Sequence, residues 1–251
     1  MNLLSPAPIC RPNSKNNQKT RALLRQVKRL FGRVDTSVAS FRKRTALSCQ
    51  NGCGHCCLTP KVETTVLEML PLAEHLIAAG QADLWHDRAR EEDFAGPCVF
   101  YDRHPDELNK GRCRFYDFRP GICRLYGFSG VTDKRGGTNL LTCKVIRQNN
   151  PVLVRTVQGR INRGMKIPLM KTLGAELYQM DPVAGNQRWP INKAIALAIE
   201  TLGLQQKYRG YCGTKDRIAK GGDRDGNITE KRGEEGHKRQ QATGAGGGQA
   251  V

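Results

Sequence analysis

The chain has 251 residues, with 41 Lys and Arg against 23 Asp and Glu, a formal net charge of +18. That length fits one domain or two small ones at about 150 residues each, and no uncharged apolar run approaches the ~20 residues a membrane helix needs. The N-terminus has neither a basic segment nor a sustained apolar core, a poor secretory signal, so a soluble, cytoplasmic protein with no membrane partner is the expectation.

The charge is unevenly spread. Residues 1–48 carry 11 cations and 1 anion, residues 49–150 carry 13 of each, and residues 151–251 carry 17 and 9. A neutral middle is flanked by two basic arms, which speaks about partners and not about fold. Residues 1–19, rich in Pro, Asn, Ser and Lys, are expected to be disordered. From Thr20, a plausible N-cap, Leu23, Val27, Leu30, Phe31, Val34, Val38 and Phe41 recur at helical spacing, predicting a basic amphipathic helix over 20–44. Gly32 and Asp35-Thr36-Ser37 weaken its middle and leave two shorter helices as an alternative.

Residues 49–57 are short and punctuated by glycine, hence a loop. Thr59-Pro60 then opens a helical stretch with Val66, Leu67, Leu70, Ala73, Leu76 and Ile77 as its stripe, bent or split at Pro71 and stopped by Gly80. Gln81 to Phe94 reads as another short helix. Residues 96–143 show no sustained period, so irregular backbone with short strands such as Cys98–Tyr101 is predicted. The remainder predicts a helical extension over 151–210, with 190–202 its clearest helix, and a disordered tail over 213–251. The fold class is therefore mainly α with few short strands and an irregular, cysteine-rich centre over 45–150.

Ten cysteines dominate the chemistry, and eight of them fall between Cys49 and Cys143. In a reducing compartment such clustering points to bound metal and not to disulfides. Cys10 and Cys212 lie outside the cluster and read as free thiols. The Cys53-Gly54-His55-Cys56 spacing lets two thiolates converge on one ion. Four thiolates suit zinc or an iron–sulfur cluster, whereas magnesium and calcium prefer oxygen. Adjacent Cys56 and Cys57 point in different directions in most conformations, which argues for two neighbouring sites or one polynuclear centre. Around Cys113 and Cys123 stand Arg112, Arg114, Arg119 and Arg124. Arg119 and Arg124 are the candidate cofactor-contacting residues, as guanidinium groups offset thiolate charge and donate to sulfur; pairing with Asp117 or a helix end is the alternative. His55 is a weaker candidate ligand, and Tyr116 and Tyr126 read as packing residues.

The segment Cys49-x3-Cys53-Gly54-His55-Cys56-Cys57, then Cys98, then Cys113-x-x-Tyr116-x-x-Arg119-Pro120-x-x-Cys123-Arg124 and finally Cys143, resembles the YkgJ-type cysteine-cluster family. Over about residues 47–147 this resemblance implies a zinc- or iron-chelating domain, with an iron–sulfur cluster as one form and flagellin lysine methylases among the relatives. The metal ligands it implies are Cys49, Cys53, Cys56, Cys57, Cys98, Cys113, Cys123 and Cys143. The chain departs from the usual pattern in having three residues, not two, between its first two cysteines. Cys49-x3-Cys53-x2-Cys56 also matches the radical S-adenosylmethionine spacing, but no barrel-like βα repetition follows. No phosphate-cradling glycine loop, Ser-His-Asp set or HExxH occurs, so no catalytic residue is assigned. Three functions remain open: a metal-binding protein chelating zinc or iron, a metal-dependent enzyme (oxidoreductase or protein-lysine methyltransferase), and a basic adaptor for nucleic acid or an unknown acidic protein partner.

Overall fold

The computed structural model describes residues 14–94, 96–107 and 110–203. Of the expected disordered ends, residues 1–13 and the tail, together with Cys10 and Cys212, lie outside them, whereas residues 14–19 are helical. The architecture is mainly α with short strands. A single helix α1 (Ser14–Thr45) runs unbroken through Gly32 and Asp35, so the two-helix alternative does not occur. At about 1.5 Å per residue its length is ~48 Å. Its helical stripe faces inward: Val27, Leu30, Phe31, Val38 and Phe41 are buried, and Leu23 and Val34 pack half-buried beside them. Thr20 is not its N-cap, because the helix already begins at Ser14.

Strand β1 (Glu63–Thr65) leads directly into helix α2 (Val66–Ala78). The start of α2 is fixed by a reciprocal cap. The Glu68 N–H donates to Thr65 Oγ1 at 3.2 Å, and the Thr65 N–H donates to Glu68 Oε2 at 3.1 Å. The helix therefore opens at Val66 and not at Thr59-Pro60, because Thr65-x-x-Glu68 satisfies orphan amides that Thr59 does not. Pro71 sits within α2 without splitting it, and Gly80 ends the segment at φ +67°, where the absence of Cβ removes the steric cost. Helix α3 (Ala82–Arg90) and a 3-10 turn (Glu91–Phe94) follow.

The middle of the chain is built from two hairpins. Strand β2 (Tyr101–Arg103) pairs antiparallel with β3 (Gly111–Cys113), placing Tyr101 opposite Cys113. The predicted Cys98–Tyr101 strand is instead a turn, closed by the Tyr101 N–H on Cys98 O at 2.9 Å; the strand begins where that turn ends. Helix α4 (Gly121–Leu125) then leads to β4 (Ser129–Thr132), which pairs with β5 (Thr138–Leu141). Helices α5 (Lys144–Asn149), α6 (Pro151–Asn162) and α7 (Met170–Met180) complete the outer layer.

Strand β6 (Arg188–Pro190) returns to β1, with Glu63 opposite Pro190. It feeds a last helix α8, described over 191–203. Ile191, Ala194, Ile195, Ala198 and Ile199 of α8 are buried in one core with α1, α2, Leu125 and Leu177. Late residues thus form part of the same core as α1 and α2, and the cysteine segments are held against that core. No described helix is long and apolar enough to cross a membrane.

Candidate metal centre

All eight clustered cysteines line one cavity of about 500 Å³. They arrive from five separate pieces of chain. Cys49 and Cys53 lie in the loop after α1, and Cys56 and Cys57 in a 3-10 turn (His55–Cys57). Cys98 precedes β2, Cys113 ends β3, Cys123 lies in α4, and Cys143 caps α5 by accepting the Ile146 N–H at 3.3 Å. Cys98 and Cys143 are buried, Cys49 and Cys56 are exposed, and the other four are half-buried. None is in a disulfide. The Cys56 and Cys57 sulfurs stand 4.0 Å apart. Among the described residues, no group of three His, Cys, Asp or Glu side chains is arranged to hold an ion as the side chains stand. The donor set nevertheless fits a thiophilic metal, since soft sulfur outnumbers every other ligand type on the wall.

The first cysteine loop is held by a tyrosine between two glycines. The Tyr101 ring lies so close to Gly54 and Gly111 that a Cβ on either would sit 2.0 Å or 2.4 Å from its Cε2 atom. Its hydroxyl donates to Lys110 O at 3.0 Å, and the Gly111 N–H donates to Gly52 O at 2.8 Å. The Gly54→Ala variant is expected to displace the 49–57 loop, destabilise the protein by about 1–3 kcal/mol through overpacking, and lower its metal content. Thermal melting alongside elemental analysis measures both effects.

The far wall is aromatic. Phe100 and Phe115 meet edge-to-face at 4.9 Å, and Trp85 packs on both at 4.9 and 5.6 Å. Phe118 stacks on His75 at 4.3 Å. Such pairs fix ring orientation as well as burying area, so Cys113 is carried on a rigid hairpin. Below it, Glu68 is 1% exposed. Its Oε2 accepts from Thr64 Oγ1, Thr65 Oγ1 and Thr65 N at 3.0, 2.9 and 3.1 Å, and its Oε1 accepts the Gly121 N–H at 3.0 Å. One buried carboxylate therefore joins the start of α2 to the start of α4, two residues before Cys123.

The two candidate arginines do different things. Arg124 is 8% exposed and is engaged by protein: it donates to Asp35, to Arg119 O at 2.7 Å and to Asp117 O, and lies 4.6 Å over the Phe31 ring. These contacts pin the 117–124 segment to α1. Arg119 donates to Tyr116 O at 2.9 Å and to Cys123 O at 3.3 Å, and its charge favours the thiolate forms of Cys56, Cys113 and Cys123. Arg112 and Arg114 instead face Asp102 at 3.7 and 3.4 Å. His55 lines the cavity in an exposed position, as does Tyr126.

Burial and crowding keep most of these sulfurs protonated when no metal is bound. Desolvation raises Cys98 to about 12, and desolvation with the charges of Cys53 and Cys143 raises Cys49 to about 12. Cys113 and Cys123 are raised by burial, and Cys57 by its hydrogen bond with Cys56. Cys56 alone moves the other way, down to about 7, because the Cys57 thiol donates to it and Arg119 lies near. Thiols raised in the fold keep protons that an unfolded chain releases above about 9. The folded state then binds more protons, and stability falls as pH rises. Metal-free protein is therefore expected to lose melting temperature as pH rises from about 9 towards 12, while Cys56 contributes the opposite sign, its stabilisation being lost as pH falls from about 9 through 7. Metal-loaded protein lacks the alkaline loss, and paired melts with and without chelator test this.

Residues 48–144 match a family model named CxxCxxCC and described as "Putative zinc- or iron-chelating domain". No curated protein and no solved structure matches the chain.

Proposed function

We propose that the protein, whose residues 48–144 match the CxxCxxCC family model, holds zinc or iron through its eight clustered cysteines. The observation that carries this is the convergence of Cys49, Cys53, Cys56, Cys57, Cys98, Cys113, Cys123 and Cys143 on one cavity. We further propose two neighbouring four-thiolate sites. Cys49 feels the charges of Cys53, Cys143 and Cys56, while Cys57 and Cys123 feel those of Cys98 and Cys113, and Cys56 stands between the two sets and acts on both. Its neighbour Cys57 takes the second set, which leaves Cys56 for the first. The first site is then Cys49, Cys53, Cys56 and Cys143, and the second Cys57, Cys98, Cys113 and Cys123. The adjacent Cys56 and Cys57, which a single ion accommodates poorly, serve one site each.

Zinc would supply a structural staple, and iron in sulfide clusters would add one-electron redox chemistry. The protein's own part is to gather the thiols and ease their deprotonation. Cys56, exposed and lowered to about 7 by the Cys57 thiol, is a thiolate on offer at neutral pH. Arg119 then offsets the charge that accumulates as further protons leave. Each thiol that binds releases a proton, so loading is favoured as pH rises.

Anaerobic purification followed by elemental and acid-labile sulfide analysis tests the proposal. A colourless protein with two zinc ions, or a brown one with iron and sulfide, supports it. Metal-free protein whose eight thiols all react with a thiol reagent overturns it. A second reading, a metal-dependent oxidoreductase or protein-lysine methyltransferase, draws on the exposure of His55, Cys56 and Tyr126 at a cavity roomier than an ion requires. An exchangeable coordination position, detected by cyanide or azide shifting the spectrum of the loaded protein, supports that reading, and spectral indifference removes it.

A further inference from the structure

Between Lys134 and Ala175 the chain carries nine Lys and Arg and no Asp or Glu. The fold draws several of these cations together with the C-terminal end of α1. Arg160 Nη1 donates to Arg44 O at 2.9 Å, and Arg44 Nη2 donates to Lys166 O at 2.9 Å. The side chain of Arg163 folds back over α6, 3.6 Å from where a Cβ on Gly159 would stand. Arg155, Gly159 and Arg163 follow one another at four-residue spacing along one face of α6, and Arg44, Arg155, Arg163 and Lys166 are all exposed. Among the described residues, no ion pair joins any of these cations to an acid. Of the α1 cations nearer its start, three are neutralised, Lys19 by Asp181 at 3.1 Å, Lys28 by Glu74 at 2.5 Å and Arg33 by Glu176, and these alternate along the helix with the exposed Arg21, Arg25 and Arg29.

Crowded like charges repel, and here the donors turn to backbone carbonyls without any neutralising carboxylate. An external polyanion would supply what the protein withholds. Exposed amides border the patch, with Gln148, Asn149 and Asn150 before α6 and Asn162 at its end. Amide and guanidinium groups are the usual donors to phosphate and sugar oxygens. Val152 is the one large exposed apolar side chain on α6, too little to insert into a lipid surface. We infer that the exposed face of α6, with Arg44 and Lys166, is a docking surface for the phosphodiester backbone of a nucleic acid, read by charge and not by base sequence.

Fluorescence anisotropy with metal-loaded full-length protein and labelled single-stranded RNA and duplex DNA of mixed sequence tests this. The wild type is expected to bind with little sequence preference, and its affinity to fall steeply with salt. The R155Q/R163Q/K166Q variant is expected to bind at least tenfold more weakly, with a salt slope shallower by about 0.7–0.9 for each phosphate it no longer neutralises. Arg160 and Arg44 are left intact, because they also bond backbone. A charge-matched control, R21Q/R25Q/R29Q on α1, is expected to bind within twofold of wild type, and both variants to keep wild-type metal content and melting temperature. Three results overturn the inference: no binding at low salt, equal losses in both variants, or polyglutamate or anionic phosphatidylserine vesicles bound as tightly as nucleic acid with the same sensitivity to R155Q/R163Q/K166Q.

Discussion

The Cys123→Ser variant is expected to lose the metal of the second site and to unfold the middle of the protein at temperatures the parent withstands. Its sulfur lines the shared cavity from a helix of only five residues, too short to persist without tertiary support. Thiolate zinc sites contribute on the order of 10 kcal/mol of binding free energy at neutral pH, and that energy is folding energy where the site holds the fold. Cys56→Ser is expected to empty the first site in the same way and to remove the thiol whose pKa its neighbour lowers. Cys212→Ser, after the last cysteine of the pattern, is expected to change neither metal content nor melting temperature. Elemental analysis and circular-dichroism melts separate the three. Full metal content in both Cys56→Ser and Cys123→Ser would end the assignment.

The second large effect is expected at a residue that binds no metal. Glu68→Ala removes the acceptor for four hydrogen bonds from Thr64, Thr65 and Gly121. The Gly121 amide and the Thr64 hydroxyl are then left buried without their partner, a loss of about 3–5 kcal/mol when a charged hub of this kind is broken. Glu68→Gln is expected to do nearly as badly. Its amide presents an oxygen to one side only, so an NH₂ group must face either the Gly121 N–H or the Thr65 N–H. Urea denaturation of the loaded protein measures the loss. The damage reaches the centre, because Gly121 opens the helix that carries Cys123. No side chain can stand in for Gly121 either: a Cβ there would lie 2.5 Å from Leu173 Cδ2 and 3.0 Å from Glu68 Oε1.

Much of this arrangement was legible in the residues alone. Seven apolar side chains at helical spacing revealed α1, since a core-facing stripe is written directly in the period. The cysteine pattern named the sulfurs that line the cavity, because few other residue types demand such spacing. What stayed hidden was mostly pairwise. Thr65-x-x-Glu68 announces a cap in any sequence, but nothing local says that the same carboxylate also reaches Gly121. Gly54 reads only as loop punctuation, and nothing local says that it and Gly111 must leave room for the Tyr101 ring between them. Asp35 looked like a helix weakener, whereas Arg124 makes it an anchor. Asn192 carried no signal at all: its buried amide accepts the Val99 N–H at 3.1 Å and donates to Pro97 O at 3.0 Å. Long-range side-chain bonds of this sort have no period and no motif.

That last contact sets an order of events during synthesis. The stretch beside Cys98 is held by a residue made well after Cys143, and β6, made just before it, closes against β1. A nascent chain on the ribosome therefore displays every cluster thiol before it possesses the clamp that secures one side of their chamber. A chain stalled short of Asn192 would offer oxidants the same sulfurs with their shelter incomplete.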